Sequence, residues 1–406
     1  MPQMAQIDSL RMPRGKKPQT VSRSRHNRGI NVPFVLTIIL VIAYGLLISF
    51  TATYNDADYN FSRQVGGAVI GAVLMVLLWR FDYHQLSGYV TVFMIINIVL
   101  ILMPHIPLIG VESNGALSWV RIGPISFQPG EFAKITVILM DASVVARYRG
   151  RLNNLHDYLK ALAIMCVPFI CILTQPDLGT GMVYLFIAFI ALLVGGAAPR
   201  YLIGTVGILF GLVVLIFVTD PLLDSLAGSD VGLKDYQRAR LLVFLDSSYD
   251  PTGDGYNLQQ AKIAIGSGGL FGKGFMNATQ STLGYLPESA TDFVFCVLAE
   301  QFGFVGALIL LALYLSLLLN SMRIARGSGD LFGMIMVMCV VGMWCFQILE
   351  NIGMDCGLMP ITGIPLPFVS YGSSFMVVNF MMLGLIGSVW SHNNASGKKG
   401  GYATPH

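Results

Sequence analysis

Long apolar runs dominate the sequence and limit the folds it can adopt more than any other feature. Hydrophobic residues make up 54% of the 406 residues and charged residues only 12%, whereas about a quarter of a soluble chain is charged. Because about 20 apolar residues span a bilayer as a helix, the chain has room for about ten spans. This composition excludes an ordinary soluble enzyme, a disordered protein and a coiled coil. The net charge of +3 is too small to indicate nucleic-acid binding.

The apolar runs and their breakers predict an all-α polytopic membrane protein with ten transmembrane helices. The predicted spans are Pro33–Phe50, Gly66–Trp79, Tyr89–Met103, Glu131–Ala146, Tyr158–Leu173, Thr180–Gly196, Tyr201–Val218, Asp292–Leu319, Leu331–Gly353 and Ser374–Trp390. The fourth is the least apolar, because Glu131, Lys134 and Asp141 lie within it.

The distribution of positive charge predicts that both termini are cytoplasmic. With the N-terminus inside, 17 of the 25 Lys and Arg residues fall on the cytoplasmic side, which is where short loops carry them. Residues 1–31 then form a basic, disordered cytoplasmic tail, residues 32–391 a single transmembrane domain, and residues 392–406 a second cytoplasmic tail. The outer side carries a large loop, residues 220–291, between spans seven and eight. It also carries a Pro-rich loop, Asp355–Ser373, between spans nine and ten.

Glu131 and Lys134 are predicted to pair inside the helix bundle. Their i, i+3 spacing puts both side chains on one helix face, and charges at membrane depth are costly unless they pair or face an interior cavity. The pattern leaves two compatible interpretations open. One is a structural ion pair, and the other is a cavity wall that contacts a substrate.

Two acidic residues lie where outer loops meet the spans. Asp177 precedes the sixth span with Thr180 three residues later, which favours a helix cap. Asp292 ends the long loop and opens the eighth span. Its first-turn position predicts stabilisation of the carboxylate by the helix dipole, with Ser289 or Thr291 as the N-cap residue. Its place beside the most polar part of the chain indicates a functional role as well.

The long outer loop supplies the complementary charge. Arg238, Arg240, Lys262 and Lys273 form the outer-side cluster of cations, and such groups suit a phosphate-bearing ligand or lipid headgroups. The Gly-rich run Gly266–Gly274 departs from a Walker loop, since Ser267 and Gly274 occupy two defining positions. It is interpreted as a tight turn between membrane-surface segments. The His and Cys spacings support neither a zinc site nor a catalytic triad.

The motifs resemble those of the SEDS proteins, polytopic peptidoglycan polymerases of shape, elongation, division and sporulation. The matching stretches are Trp119-Val120, Phe127–Lys134, Gln175–Thr180, Gln237–Arg240, Gly255–Asn257, Lys262–Leu270, Leu286–Phe293, Asn351–Met354 and Gly357–Gly372. Asn351–Met354 and the run from Thr362 to Phe368 are more similar to the elongation type, RodA, than to the division type, FtsW.

The resemblance implies a fold of ten transmembrane helices in the bacterial cytoplasmic membrane. It implies glycosyl transfer on lipid II for cell elongation and shape, with Asp292 as the catalytic residue. The implied substrate-binding residues are Glu131, Lys134, Asp177, Arg238, Arg240, Lys262, Lys273, Gln280 and Ser370. The expected partners are lipid II, a class B penicillin-binding protein and elongation-complex proteins.

The chemistry of this reaction needs one base for the sugar hydroxyl and positive charge for the leaving pyrophosphate. Asp292 suits the base and the outer-loop cations suit the charge. A divalent cation such as Mg²⁺ or Mn²⁺ could replace part of that charge, with Asp292 as a ligand. The alternatives are a lipid II flippase, a division-type FtsW polymerase and a scaffold for a cell-wall complex. Clustering of Asp292 with cations on one side favours the polymerase.

Overall fold

A computed structural model describes residues 31–54, 59–113, 116–123, 125–175, 177–227, 235–246, 249–250 and 253–393. The predictions for the two terminal tails lie almost wholly outside these residues. The helices are α1 (Val32–Thr53), α2 (Phe61–Arg80), α3 (Val90–Leu102), α4 (Pro129–Ala146), α5 (Leu155–Ile172), α6 (Leu178–Val194), α7 (Pro199–Ala227), α8 (Asp235–Leu245), α9 (Asp254–Gly268), α10 (Thr279–Thr282), α11 (Val294–Arg326), α12 (Leu331–Asp355) and α13 (Ser373–Ser391).

A helix lies at each of the ten predicted spans, and the fold is mostly helical as expected. In the described part of the chain, seven of these helices are long and apolar enough to cross a membrane: α1, α2, α5, α7, α11, α12 and α13. The helices α3 and α6 are apolar but shorter. The remaining helix, α4, carries the three charged residues Glu131, Lys134 and Asp141.

Asn and Asp residues set the beginnings of several helices. The side chain of Asn60 accepts a hydrogen bond from the backbone N–H of Ser62 at 2.9 Å, before α2. The side chain of Asp330 accepts from Gly333 at 2.8 Å, before α12. In this N-cap arrangement, a short polar side chain accepts a hydrogen bond from a backbone N–H group that has no partner within the first turn. These N-cap residues divide the apolar runs into separate helices.

The centre of the bundle is formed by α4, α12 and α13. The indole of Trp344 on α12 donates to the side-chain carbonyl of Asn379 on α13 at 2.6 Å, and both residues are buried. On the other side of α13, Gly384 and Gly387 contact α2 so closely that a Cβ at either position would collide with it. Small residues allow membrane helices to approach in this way.

A small sheet departs from the all-α prediction. The strands β1 (Gly110–Ser113), β2 (Ala116–Ile122) and β3 (Ile125–Phe127) pair antiparallel in the order β1-β2-β3. The sheet leads directly into α4, with Val120 opposite Phe127. The prediction missed it because the segment is short and lies between two spans. The segment from Leu117 to Ile122 contains Trp119, Val120 and Ile122, and this enrichment in aromatic and β-branched residues is a strand signal that could have found it.

The large loop predicted at residues 220–291 is also more regular than expected. The seventh helix continues to Ala227, and three further helices, α8, α9 and α10, follow before α11. Side chains of α9 pack on α11 in a second apolar cluster that includes Leu258, Ala261, Phe293 and Cys296. The loop is therefore a folded cap on the bundle where the structure describes it.

Candidate functional site at the Asp292 end of the bundle

Asp292 lies in a turn before α11. The backbone carbonyl of Glu288 accepts hydrogen bonds from the N–H groups of Thr291, Asp292 and Phe293 at 3.1 to 3.2 Å. The N-cap residue of α11 is Phe293, with no side-chain capping bond. The prediction that Asp292 sits in the first helical turn, capped by Ser289 or Thr291, is therefore wrong. The turn at Glu288, whose φ is +52°, supplies the hydrogen bonds that a cap would have supplied.

The loop between α12 and α13 holds this turn in place. The hydroxyl of Ser370 donates to the carbonyl of Thr291 at 2.6 Å and accepts from the N–H of Leu366 at 2.7 Å. The N–H of Tyr371 donates to the carbonyl of Ala290 at 2.8 Å. Ser370 is fully buried. Its contacts are to backbone groups, and they fix the loop against the Asp292 turn.

Asn351 provides a third connection, and its part in the site was not predicted from the sequence. Its side-chain amide donates to the carbonyl of Asp292 at 2.7 Å and to the carbonyl of Ile364 at 2.9 Å. The neighbouring Glu350 is buried as well and interacts electrostatically with Asp292 and Arg240. The sequence could have indicated both residues, since two adjacent polar residues inside an apolar span are a signal of a functional site or of a pairing contact.

The carboxylate of Asp292 and the guanidinium of Arg240 meet at Gly363. A Cβ built on Gly363 would lie 3.1 Å from Asp292 Oδ2 and 3.9 Å from Arg240 Nη1. Gly363 also has a φ of +72°, in the left-handed region that favours glycine. A larger residue at position 363 would therefore crowd the carboxylate and approach the guanidinium group. The predicted association of Asp292 with an outer-loop cation is thus located at Gly363.

The environment of Asp292 makes its carboxyl a weaker acid than usual. Burial raises its pKa to about 6, the negative charge of Glu288 acts in the same direction, and the positive charge of Arg240 opposes the rise. This outcome is opposite to the helix-dipole prediction, because burial and the charge of Glu288 outweigh the groups that favour the carboxylate. The carboxylate is still mostly ionised at neutral pH, with a pKa close enough to that pH for a general base.

The four predicted cations occupy different places. Arg240, on α8, lies 3.5 Å from Asp254 at the start of α9, measured from Nε to Oδ2. Arg238 stands two residues earlier on α8, about 200° around an ideal helix. The side chain of Lys262 packs over Gly357, just beyond α12. Arg240 is the cation that the structure brings to Asp292.

Lys273 pairs with a buried acid instead. Its Nζ lies 2.5 Å from Glu300 Oε1 on α11 and 2.7 Å from Thr279 Oγ1. The backbone N–H of Gln280 donates to the same carboxylate, 3.2 Å from Oε2. The structure therefore joins Lys273 and Gln280 to each other through Glu300, and it gives neither a contact with Asp292.

Glu131 and Lys134 form the predicted buried pair. Lys134 Nζ lies 2.5 Å from Glu131 Oε1, and both side chains are almost inaccessible. The ammonium group also lies 5.6 Å from the ring centroid of Phe375 on α13. The prediction that the pair faces the bundle interior is confirmed, whereas contact with a substrate remains a prediction.

Asp177 caps α6 as predicted. Its side chain accepts from the backbone N–H of Thr180 at 2.9 Å and from the Thr180 hydroxyl at 2.7 Å. Beside it, Gly179 packs so closely on the α12–α13 loop that a Cβ would lie 3.0 Å from the carbonyl oxygen of Thr362. The start of α6 thus supports the loop that carries Gly363.

An apolar pocket lies against one face of α4. Its volume is about 520 Å³, and its lining residues come from α3, β3, α4 and α13: Leu100, Phe127, Phe132, Ile135, Thr136 and Met381. Phe132, Ile135 and Thr136 share one face of α4, and the lining includes neither Glu131 nor Lys134. The pocket therefore offers an almost wholly apolar surface.

The divalent cation suggested by the reaction chemistry remains a prediction. Within the described ranges, no group of three or more His, Cys, Asp or Glu side chains is arranged to hold a metal ion. Among these residues, Arg240 supplies positive charge next to Asp292.

These features define a multi-pass helical membrane protein with a carboxylate–guanidinium site at one end of its bundle. The chain belongs to the FTSW/RODA/SPOVE family of cell cycle proteins, whose sequence profile matches residues 31–395. This confirms the resemblance drawn from the motifs.

Characterised relatives match over nearly their whole length. The peptidoglycan glycosyltransferase MrdB of Escherichia coli K12 is 37% identical over 370 residues, which cover 90% of this chain and 95% of the relative. The peptidoglycan glycosyltransferase RodA of Treponema pallidum is 32% identical, with 87% and 96% covered. A solved peptidoglycan synthase complex that coordinates polymerization and crosslinking contains a chain with a TM-score of 0.70 and 29% identity. That match covers 89% of this chain and 97% of the other.

Proposed function

We propose that this chain is a peptidoglycan glycosyltransferase that polymerises lipid II into glycan strands at the outer face of the cytoplasmic membrane. Membership of the family and the names of its relatives support the enzyme class. The single observation that carries the site assignment is the convergence of Asp292 and Arg240 at Gly363. In this proposal all ten long helices cross the membrane, and both termini are cytoplasmic, as the positive charges indicate.

Asp292 acts as the general base in this proposal. A hydroxyl of one disaccharide unit attacks the anomeric carbon of another, and the Asp292 carboxylate accepts the hydroxyl proton. A new C–O bond forms as the bond to the lipid pyrophosphate breaks and its electron pair leaves with the phosphate oxygen. Because the attack is a single displacement, the configuration at the anomeric carbon inverts.

Arg240 stabilises the leaving group. The departing pyrophosphate gains negative charge as the bond breaks, and a guanidinium group binds phosphate oxygens with two parallel donors. Pyrophosphate leaves readily, so this reaction needs no acid of the kind that glycoside hydrolysis requires. A divalent cation such as Mg²⁺ or Mn²⁺ would add positive charge at the same phosphates when bound.

The apolar pocket and the Glu131–Lys134 pair are assigned to substrate binding. The pocket suits part of a polyprenyl chain, and the buried ammonium group of Lys134 suits a phosphate or sugar oxygen. In this proposal Asp177 and Ser370 do not contact the substrate. Asp177 caps α6, and Ser370 fixes the α12–α13 loop against the Asp292 turn.

The same proposal includes partners. The solved complex with a similar chain is described as one that coordinates polymerization and crosslinking. By analogy we propose that this chain works with a class B penicillin-binding protein and other elongation-complex proteins in cell elongation and shape.

Polymerisation of purified lipid II by the purified chain tests the proposal. Wild-type protein should form glycan strands, and Asp292→Asn should lower the rate by about 100-fold or more, the usual contribution of a general base. Asp157→Asn, the same change in the first turn of α5, is the matched control and should keep full activity.

Sealed vesicles separate the polymerase from a flippase. Labelled lipid II that crosses the bilayer without forming polymer would support the flippase and contradict the proposal. Full activity of Asp292→Asn would instead contradict the assignment of the base while leaving the enzyme class intact.

A further inference from the structure

The eighth long helix is broken near the Asp292 end. Gly303 has φ +63° and ψ −162°, which no helix accommodates, and it divides α11 into an outer half, 294–302, and an inner half, 304–326. The outer half begins two residues after Asp292. Any rotation of this short half about Gly303 would therefore move the carboxylate.

The Gly-rich turn after α9 fills the break. The N–H groups of Lys273 and Gly274 donate to the carbonyls of Glu300 and Gln301 at 2.9 and 3.0 Å. In return, the N–H groups of Phe304 and Val305 donate to the carbonyls of Gly269 and Leu270 at 2.9 and 3.0 Å. We call residues 268–280 the brace. The brace satisfies backbone groups that an unbroken helix would have satisfied internally.

Glycine is required where the brace meets the break. A Cβ on Gly303 would collide with the backbone of Leu270 and Gly272, and a Cβ on Gly272 would collide with the backbone of Gln301. Gly269 and Gly272 also have φ values of +55° and +80°. The run that superficially resembles a phosphate loop is thus explained by close backbone approach and left-handed turns.

One buried carboxylate joins the brace to the outer half-helix. Glu300 is fully buried, and it accepts from Lys273 Nζ at 2.5 Å and from the N–H and hydroxyl of Thr279 at 3.0 and 2.7 Å. The N–H of Gln280 adds a further donor at 3.2 Å. A buried charge needs partners of this kind, so loss of Lys273 should loosen the whole contact.

We propose that Lys273 and Glu300 are positioning residues that fix the outer half of α11, and with it Asp292, relative to Gly363. The half-helix is held at one end by the brace and at the other by the Asn351 contact to Asp292. Glu300 lies about 9 Å along the helix axis from Val294, and Asp292 stands two residues before Val294, so a small tilt at the brace displaces the base. A misplacement of about 1 Å costs about 100-fold in rate.

Lys273→Met and Glu300→Gln test this inference, and its activity readout rests on the proposed function. Both variants should lower kcat for lipid II polymerisation by about 10- to 100-fold and leave KM within about twofold. Lys273→Arg keeps the ion pair and should restore most of kcat. Lys160→Met, an exposed lysine on α5, is the matched control.

A second readout does not depend on polymerase activity. Cys296 lies in the outer half-helix and is fully buried, packed with residues of α9. Release of the brace should raise the rate of Cys296 alkylation by N-ethylmaleimide by about tenfold, as expected for local opening. Peptide mass spectrometry separates Cys296 from the other five cysteines. Lys160→Met should leave the rate unchanged.

The outcomes are distinguishable. A raised KM with unchanged kcat in Lys273→Met, together with a protected Cys296 and an active Glu300→Gln, would make Lys273 a substrate ligand and overturn the inference. Glu300→Gln keeps the side-chain shape, so it decides the question if Lys273→Met does not fold. A wild-type chain that makes no polymer would refute the proposed function, while the Cys296 measurement would still report on the brace.

Discussion

The side-chain amide of Asn351 donates to the backbone carbonyl of Asp292 across 2.7 Å. The same amide donates to the carbonyl of Ile364, which follows Gly363 in the chain. Asn351, a buried residue of α12, therefore sets the spacing between the Asp292 turn and the α12–α13 loop. The position of Asp292 therefore depends on a hydrogen bond to its backbone carbonyl.

Asn351→Asp should abolish this link. An aspartate cannot donate to either carbonyl when ionised, and a buried group left without its partner costs about 1–3 kcal/mol. We expect a lower Tm and a fall in polymerisation rate of about 100-fold, measured on purified protein. Asn154→Asp is the control, since Asn154 is an N-cap and Asp caps equally well. Unchanged kcat in Asn351→Asp would contradict the role given to Asn351.

Gly363→Ala should displace the carboxylate. The left-handed backbone costs alanine about 1–2 kcal/mol, and its Cβ would lie 3.1 Å from Asp292 Oδ2. Gly150→Ala separates the two effects, because Gly150 has a φ of +75° and open space around its Cβ position. Both variants should lose similar stability in thermal unfolding. Only Gly363→Ala should lose activity, and equal activity in the two variants would refute the crowding argument.

The pH dependence of the reaction should follow Asp292. The base works as the carboxylate, so kcat/KM should rise with pH through a pKa of about 6 and then level off. Glu288 raises this pKa by its negative charge. Glu288→Gln should therefore lower the pKa and move the acid limb of the profile to lower pH.

Tyr59→Phe is the control for this shift. It removes the 2.7 Å hydrogen bond from the Tyr59 hydroxyl to Glu288 but keeps the negative charge of Glu288. The acid limb should then stay in place. A limb that moves equally in both variants would show that the geometry of the turn, rather than the charge, sets the pKa.

The Glu131–Lys134 pair can be tested for its two interpretations. Lys134→Met leaves Glu131 as an unpaired buried charge and should destabilise the fold by about 3–5 kcal/mol. Adding Glu131→Gln removes that charge and should restore most of the thermal stability. We expect polymerisation to stay low in the double variant, because in the proposed function the pair also contacts substrate. Recovery of both properties would make the pair purely structural.

Local patterns in the sequence predicted the features that depend on neighbouring residues. The ten helices follow from apolar runs, the Glu131–Lys134 contact from i, i+3 spacing, and the Asp177 cap from a polar residue three positions before Thr180. In each case the partners are close in the chain, so spacing alone brings them together.

The features that were missed depend on residues far apart in the chain. Asn351 reaches Asp292 across 59 positions, and Lys273 reaches Glu300 across 27. No spacing rule connects such pairs, so Lys273 was grouped with the other cations by charge. The break at Gly303 was missed for a related reason, since one glycine in an apolar run is tolerated in most membrane helices.

That break has a consequence for how the chain enters a membrane. The bilayer core offers no water to open backbone groups, so residues 300–305 would be costly to insert without partners. Those partners, residues 269–274, precede α11 in the chain and leave the ribosome first. The brace can thus be in place when α11 arrives. In a circularly permuted chain, residues 269–274 would be synthesised after α11. Such a chain would first have to insert α11 with the backbone groups of residues 300–305 lacking hydrogen-bond partners.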